Sequence, residues 1–401
     1  MKDQEVSQAK DTSIARQKAP ASSQIIAEDS VPAEEVPTIP LDSLQTLRTL
    51  QPEISVRPIS ATSIATLPQP LVVQSAEYRR SVGEWLRIWW DGMRPSYLPF
   101  ALLPLILGSA LGWLASVSAQ TPRGDFHFRR FLAALIAVTL LQFGANLLND
   151  YYDYLGGVDT SNSLGPGNLI QQGLIKPARV LTIGFILLIT GGLIGALVAF
   201  QGGITTFVFG VLGLLGAYLY SASPRSLSSL TLGQVAGFWI FGPLLTLGAY
   251  SIQTGKTDTL PLLCGIALGL LLAGVLYVND MRDMESDAQA HKHTLATLLG
   301  IHVNQIVCTL LLLGAYVPIV MLGVPAHGPH LVLITLWTLP GMVVIMLGLY
   351  RTTTPASLHI TMHQVLKLAM LFTFLLLVAL TISTYWHWLP SFSLPGLESV
   401  F

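Results

Sequence analysis

Residues 180–224, between Arg179 and Arg225, contain no charged side chain. A stretch this long cannot be divided into the amphipathic helices of a soluble domain, because each of those needs a polar face toward water. About eighteen or more apolar residues in succession read as a helix long enough to cross a bilayer. This stretch holds two such runs, at about 180–200 and 204–221. Seven more obey the same rule, at about 98–119, 131–149, 231–252, 259–279, 301–323, 331–350 and 368–386. The whole chain of 401 residues is 52% hydrophobic and 11% charged, which excludes a pair of soluble domains. The expected fold class is an all-α membrane protein with nine transmembrane helices. Cys264 and Cys308 fall inside predicted spans, as packing residues and not as a disulfide or zinc pair.

The flanks are different material. Residues 1–82 are rich in Ser, Pro, Ala, Gln and Glu and carry no apolar run fit for a span or a signal peptide. They are expected to form a disordered cytosolic tail. Residues 83–95 mix Trp85, Leu86, Ile88, Trp89 and Trp90 with Arg87, Asp91 and Arg94. That composition predicts an amphipathic helix lying in the headgroup region. Residues 96–390 make the polytopic domain, and 391–401 a short C-terminal tail. Loop charge sets the orientation. From Arg79 onward, the face carrying the N-terminus and the connections after even-numbered spans holds eleven Lys and Arg. The other face holds four: Arg123, Arg129, Arg130 and Lys256. The positive-inside rule then puts the N-terminus in the cytosol and, with nine spans, the C-terminus outside.

Against this apolar background one pentapeptide pattern occurs twice. Asn149-Asp150-Tyr151-Tyr152-Asp153 closes the second predicted span, and Asn279-Asp280-Met281-Arg282-Asp283 closes the sixth. Further acids follow, Asp159 after the first and Glu285 and Asp287 after the second. Carboxylates at span ends are costly, up to about 2.5–3.5 kcal/mol each at a helix centre and less toward the interface. Helical spacing aligns Asn146, Asp150 and Asp153 in one stripe and Asn279, Asp283 and Asp287 in another. Such oxygen-only donors fit Mg²⁺ or Mn²⁺ and not zinc. Two stripes facing each other, as an internal repeat would arrange them, suit two ions around one diphosphate. Lys176, Arg179, Arg225, Arg282 and Lys292 lie on the same predicted face and are candidates for its remaining phosphate oxygens; positive-inside topology alone also accounts for them. His291 and His293 flank Lys292 as candidate acid–base groups or as plain loop residues. A diphosphate held at the mouth of an apolar bundle belongs to a lipid, and ionisation of its allylic C–O bond leaves a carbocation. Tyr151, Tyr152, Tyr218, Tyr220, Phe238 and Trp239 are aromatic candidates for stabilising it.

These stretches together resemble the UbiA superfamily of intramembrane prenyltransferases over about residues 90–387. The carriers are MRPSYLPFALLPLILGSALG at 93–112, NLLNDYYDYLGGVDT at 146–160, LGPGNLIQQGLIKP at 164–177, the segment 220–250, and NDMRDMESDAQAHKHTLATLLG at 279–300. The Asp153-to-Asp159 spacing, Gly242-Pro243 and the acids at 283–287 resemble the 1,4-dihydroxy-2-naphthoate polyprenyltransferase branch of menaquinone synthesis. The resemblance implies nine helices around a central cavity open to lipid. It implies metal ligation by Asn146, Asp150, Asp153, Asp159, Asn279, Asp283 and Asp287. It also implies substrate binding by Lys176, Arg225, Arg282 and Lys292, with Asp153, Asp283 and Lys292 central to catalysis. The reaction implied joins a polyprenyl diphosphate to an aromatic acceptor with Mg²⁺; in the naphthoate branch CO₂ is lost and demethylmenaquinone forms. The chain departs from that branch's pattern with Asn168 and Ala288 where Arg is usual, and His291 where Gly is usual. The competing readings are the same fold with another acceptor (4-hydroxybenzoate, homogentisate or a lipid), a prenyl cyclase, and a cation or lipid transporter.

Overall fold

Apolar length dictates the elements. A computed structural model of the chain describes residues 80–118, 126–157, 168–221, 226–289, 292–325 and 328–385. Of the expected tail at 1–82, residues 1–79 lie outside the described residues, as do the tail at 391–401 and Asp159, Arg225 and His291; Val82 already belongs to the first helix. The described elements are helices, without strands: α1 (Val82–Met93), α2 (Leu98–Ser118), α3 (Phe128–Leu155), α4 (Pro177–Gly202), α5 (Ile204–Ser221), α6 (Gly233–Thr254), α7 (Thr259–Gln289), α8 (Leu295–Gly323), α9 (His330–Arg351) and α10 (Pro355–Tyr385). Among the described residues nine helical segments are long and apolar enough to cross a membrane, α1 running on into α2 as one of them.

α1 is helical where the sequence predicts an amphipathic helix at 83–95. Ser81 caps it: its hydroxyl accepts from the Glu84 N–H at 3.2 Å, and its own N–H donates to Glu84 Oε2 at 2.7 Å. Val82, Leu86 and Trp90 stand exposed on one face. Trp85, Ile88, Trp89 and Met93 on the other face pack against Leu169, Ile170, Ile175 and Val180. The helix therefore lies over the segment that enters α4.

α3 runs along α4, α2 along α6, and α7 threads between α8 and α10. Lipid gives no hydrophobic drive between helices, so close backbone approach has to hold them together. Gly144 of α3 supplies it: a Cβ there would lie 2.8 Å from the Gly184 carbonyl oxygen of α4. The core centres on α7, where Leu268, Leu271, Leu272 and Tyr277 are fully buried against Leu312 of α8 and Phe372 of α10.

The helices run further than the apolar segments do. α3 continues to Leu155 and α7 to Gln289, so both acidic stripes lie on the last turns of helices. α10 begins at Pro355, well before the expected start near 368. Thr361 there is buried and His359 and His363 are half-buried, so polar residues that lower the hydropathy are turned inward. The proline at its first position suits helix entry, since no partner for its missing N–H is needed there.

Candidate active site

The first stripe is held from above. Beyond Met93 the chain turns through Arg94, whose φ of 52° ends α1. The Met93 carbonyl accepts from Asn146 Nδ2 at 2.8 Å, and Arg94 reaches Asn149 Oδ1 at 3.3 Å and Asp150 Oδ1 at 3.5 Å. Asp150 has no exposed surface. Its two oxygens accept from the backbone N–H groups of Asn168, at 2.8 Å, and Leu169, at 3.1 Å. Asn168 adopts φ 58°, a left-handed conformation that asparagine tolerates better than most residues. Asp150 thus fastens the segment that follows the first motif, while Asp153 points into the cavity below. The sequence expectation treated the two alike, because their spacing puts both on one helix face.

The second stripe is held from the side. Tyr97 donates its hydroxyl to Asn279 Oδ1 at 3.2 Å, and Arg282 Nη2 donates to the same oxygen at 3.0 Å. Arg282 also forks onto its neighbour Asp283, with Nε to Oδ1 at 2.7 Å and Nη2 to Oδ2 at 2.6 Å. Its remaining Nη1 meets His359 Nδ1 of α10 at 3.1 Å. Asp280, one turn from Asp283, accepts a hydrogen bond from Gln234 of α6.

Lys292, in the loop before α8, joins the two stripes. Its Nζ lies 3.2 Å from Asp153 Oδ1 and 3.8 Å from Asp287 Oδ1, and its backbone N–H donates to the Asp287 carbonyl at 2.9 Å. Two acids 134 positions apart in sequence therefore share one cation. Both stripes open on one cavity of about 300 Å³, whose polar lining includes Asp153, Asp280, Asp283 and Asp287 together with Arg94, Arg282 and Lys292. Away from the acids the wall turns apolar. Asp153, Asn149, Asn146, Gln142, Val138 and Ala134 mark one face of α3 along this cavity, over roughly 28 Å at 1.5 Å per residue. Gly210 and Gly213 of α5 and Leu244 and Ala249 of α6 line the apolar part opposite.

The donor set fits a hard divalent cation. Every side chain the stripes aim at the cavity ends in a carboxylate or amide oxygen, and one small cation, the Lys292 ammonium, already spans the gap between Asp153 and Asp287. Among the described residues no three acids converge on a single point. Mg²⁺ asks for no more: it commonly takes one or two carboxylates and fills its octahedron with water and substrate phosphate oxygens.

Other expected residues fall elsewhere. Lys176 caps α4 and is exposed, and it is not among the described residues lining the cavity. Glu285, Ala288 and His293 are exposed too. Of the six aromatic candidates only Tyr220 lines the cavity; Tyr151 packs against the α1 cluster, Tyr152 and Tyr218 against Leu148, and Trp239 is 54% exposed. The reading from sequence passed over Arg94, Tyr97, Phe100, Asn149, Asp280 and Phe241 as site residues, and all of them line it. Asn149 and Asp280 are letters of the repeated pentapeptide itself, and Arg94 with Tyr97 falls in the stretch at 93–112, so these had a signal.

Residues 101–376 match the UbiA prenyltransferase family. A 1,4-dihydroxy-2-naphthoate octaprenyltransferase of Haemophilus influenzae is 35% identical over 247 residues, which is 59% of this chain and 77% of that protein. The Bacillus subtilis protein of the same name is 26% identical over 315 residues, 78% of this chain and 97% of its own. Among solved structures, a UbiA homologue from Archaeoglobus fulgidus bound to GPP and Mg²⁺ shares the fold, with a TM-score of 0.54 at 16% identity over 73% of this chain and 99% of that one. The family match spans most of the polytopic region and takes in both acidic motifs: this chain belongs to the UbiA prenyltransferase family and is a prenyltransferase.

Proposed function

We propose that the chain transfers a polyprenyl group from its diphosphate to 1,4-dihydroxy-2-naphthoate, in a cell membrane, with the acidic mouth on the cytosolic side. The observation that carries the reading is the Lys292 bridge between Asp153 and Asp287 at the polar end of an apolar cavity. One diphosphate there would meet both motif copies at once, while its hydrocarbon lies along α3. The names of the relatives in Haemophilus influenzae and Bacillus subtilis support the naphthoate acceptor. The excess of eleven Lys and Arg over four on the N-terminal face supports the orientation.

In this reading Asp153, Asp283 and Asp287, with Asn146 and Asn279, are the residues that would hold Mg²⁺ beside the diphosphate. Bound there, the metal would neutralise charge on the departing diphosphate. Lys292, Arg94 and Arg282 supply the remaining cations. Asp150 belongs one step back, keeping Asn168 and Arg94 in place. The allylic C–O bond breaks with both electrons going to the diphosphate. The acceptor's ring carbon bonds to the prenyl carbon, and the carboxylate it bore leaves as CO₂, returning its bonding electrons to the ring. Apolar walls keep water from the cation.

The test is mass spectrometry of lipid products after incubating the protein in membranes with Mg²⁺, a polyprenyl diphosphate and a mixture of aromatic acceptors. A prenylated naphthoquinol without the carboxylate is expected. A different prenylated ring would overturn the acceptor, and intact diphosphate with every acceptor would overturn prenyl transfer itself.

A further inference from the structure

α6 does not run as a regular helix. Between Ile240 and Leu244 it widens into a π-helical turn that contains Pro243, whose nitrogen carries no hydrogen to donate. Such single-turn widenings occur often at functional sites. This one is pinned from behind: a Cβ on Gly242 would lie 2.6 Å from Gly269 Cα and 2.7 Å from the Gly265 carbonyl oxygen of α7. With Gly242 pressed against α7, its neighbour Phe241 lines the cavity instead.

Phe241 there completes a chain of four rings. Tyr97 stacks on Phe100 with centroids 5.9 Å apart. Phe100 meets Phe241 edge-on at 5.5 Å, and Phe241 meets Tyr220 edge-on at 5.4 Å. The rings come from three separate parts of the chain, and all four line the cavity. The chain starts at the acids, since Tyr97 donates to Asn279, and Asp280 and Asp283 line the same cavity. Aromatic faces attract cations, most strongly in a desolvated site.

We propose that Tyr97, Phe100, Phe241 and Tyr220 form the wall that stabilises the allylic carbocation left when the diphosphate departs, with the π-turn of α6 as the device that brings Phe241 to it. The inference rests on the prenyl-transfer reading above and adds these rings to its site. In the step concerned, the C–O electron pair leaves with the diphosphate and the positive charge spreads over the two ends of the allyl unit. The rings donate no electrons covalently, and the acceptor's ring carbon later closes the bond.

The test compares two ligands on the full-length, detergent-solubilised chain by calorimetry: a polyprenyl diphosphate with Mg²⁺, and an N-prenyl ammonium with inorganic diphosphate and Mg²⁺. The ammonium carries its charge where the cation would form. Phe241→Leu and Phe100→Leu keep an apolar side chain and remove the ring. Each is expected to weaken ammonium binding about tenfold and to leave diphosphate binding within about twofold, whereas Phe241→Trp retains both. Thermal unfolding of the same samples identifies any variant that has lost its fold, and the Trp variant then decides. Equal weakening of both ligands would overturn the proposal by making the rings a plain apolar wall. So would unchanged ammonium binding, or a loss confined to the aromatic acceptor. If the unaltered chain binds no polyprenyl diphosphate, the prenyl-transfer reading fails and takes this inference with it.

Discussion

Asp150 and Asp153 lie less than a turn apart on α3, and their carboxylates meet different neighbours. Asp150 accepts two backbone N–H groups and faces Arg94; Asp153 faces Lys292 across the cavity. Asp150→Ala leaves the half-buried Arg94 without its carboxylate, and breaking a buried pair costs about 3–5 kcal/mol. Its thermal midpoint in detergent is expected to fall clearly below that of the unaltered chain. Asp153→Ala leaves Lys292 its second acid, Asp287, so its midpoint is expected to fall less, while turnover drops about a hundred- to a thousandfold, the scale seen when one charge-stabilising group is removed. The reverse pattern, a stable Asp150 variant and an unfolded Asp153 variant, would contradict the division of roles. Asn168 supports a further prediction. It lines the cavity with its backbone tied to Asp150. Asn168→Arg adds a cation there and is expected to change the ranking of acceptors in competition assays without changing Mg²⁺ dependence. Equal effects on every acceptor would refute it.

α1 and α5 show what whole elements contribute. α1 touches the site through its C-terminus, where Met93 and Arg94 reach Asn146, Asn149 and Asp150. Gly92 lets this helix settle on Leu169, which a Cβ at that position would strike. Gly92→Val is therefore expected to lift α1 from the 168–175 segment. Limited proteolysis should then cleave faster near residues 80–95, with prenyl-transfer activity reduced and the spans intact. Unchanged cleavage and activity would show that α1 does not brace the site. α5 borders the apolar part of the cavity, and a Cβ on Gly213 would meet nothing within 4 Å. Gly213→Phe fills that space. It is expected to shift preference toward shorter prenyl diphosphates, read from the products of a mixed-length substrate pool; an unchanged product distribution would place the hydrocarbon elsewhere.

At the scale of the molecule, the nine spans among the described residues were legible because apolar length needs no partner to be recognised, as the 180–224 stretch illustrates. The start of α10 was not, since His359, His363 and Thr361 read as loop in sequence and become inward-facing only when a bundle surrounds them. The two acidic stripes were legible from helical spacing, but the turning of Asp150 away from the cavity depends on where residues 168 and 169 come to rest. Sequence offered Tyr220 as an aromatic candidate and Tyr97 within the 93–112 stretch, but not the meeting of the four rings, which is assembled from three segments, one of them an irregular turn. What the fold adds is convergence: motif copies 130 residues apart meet through Lys292. The direct measurement of that convergence is calorimetric binding of a polyprenyl diphosphate to the unaltered chain, to Asp153→Ala and to Asp283→Ala, each with and without Mg²⁺. The account predicts Mg²⁺-dependent binding that either substitution alone abolishes. Binding that survives in one variant, or that is indifferent to Mg²⁺, would contradict a single site built from both motifs.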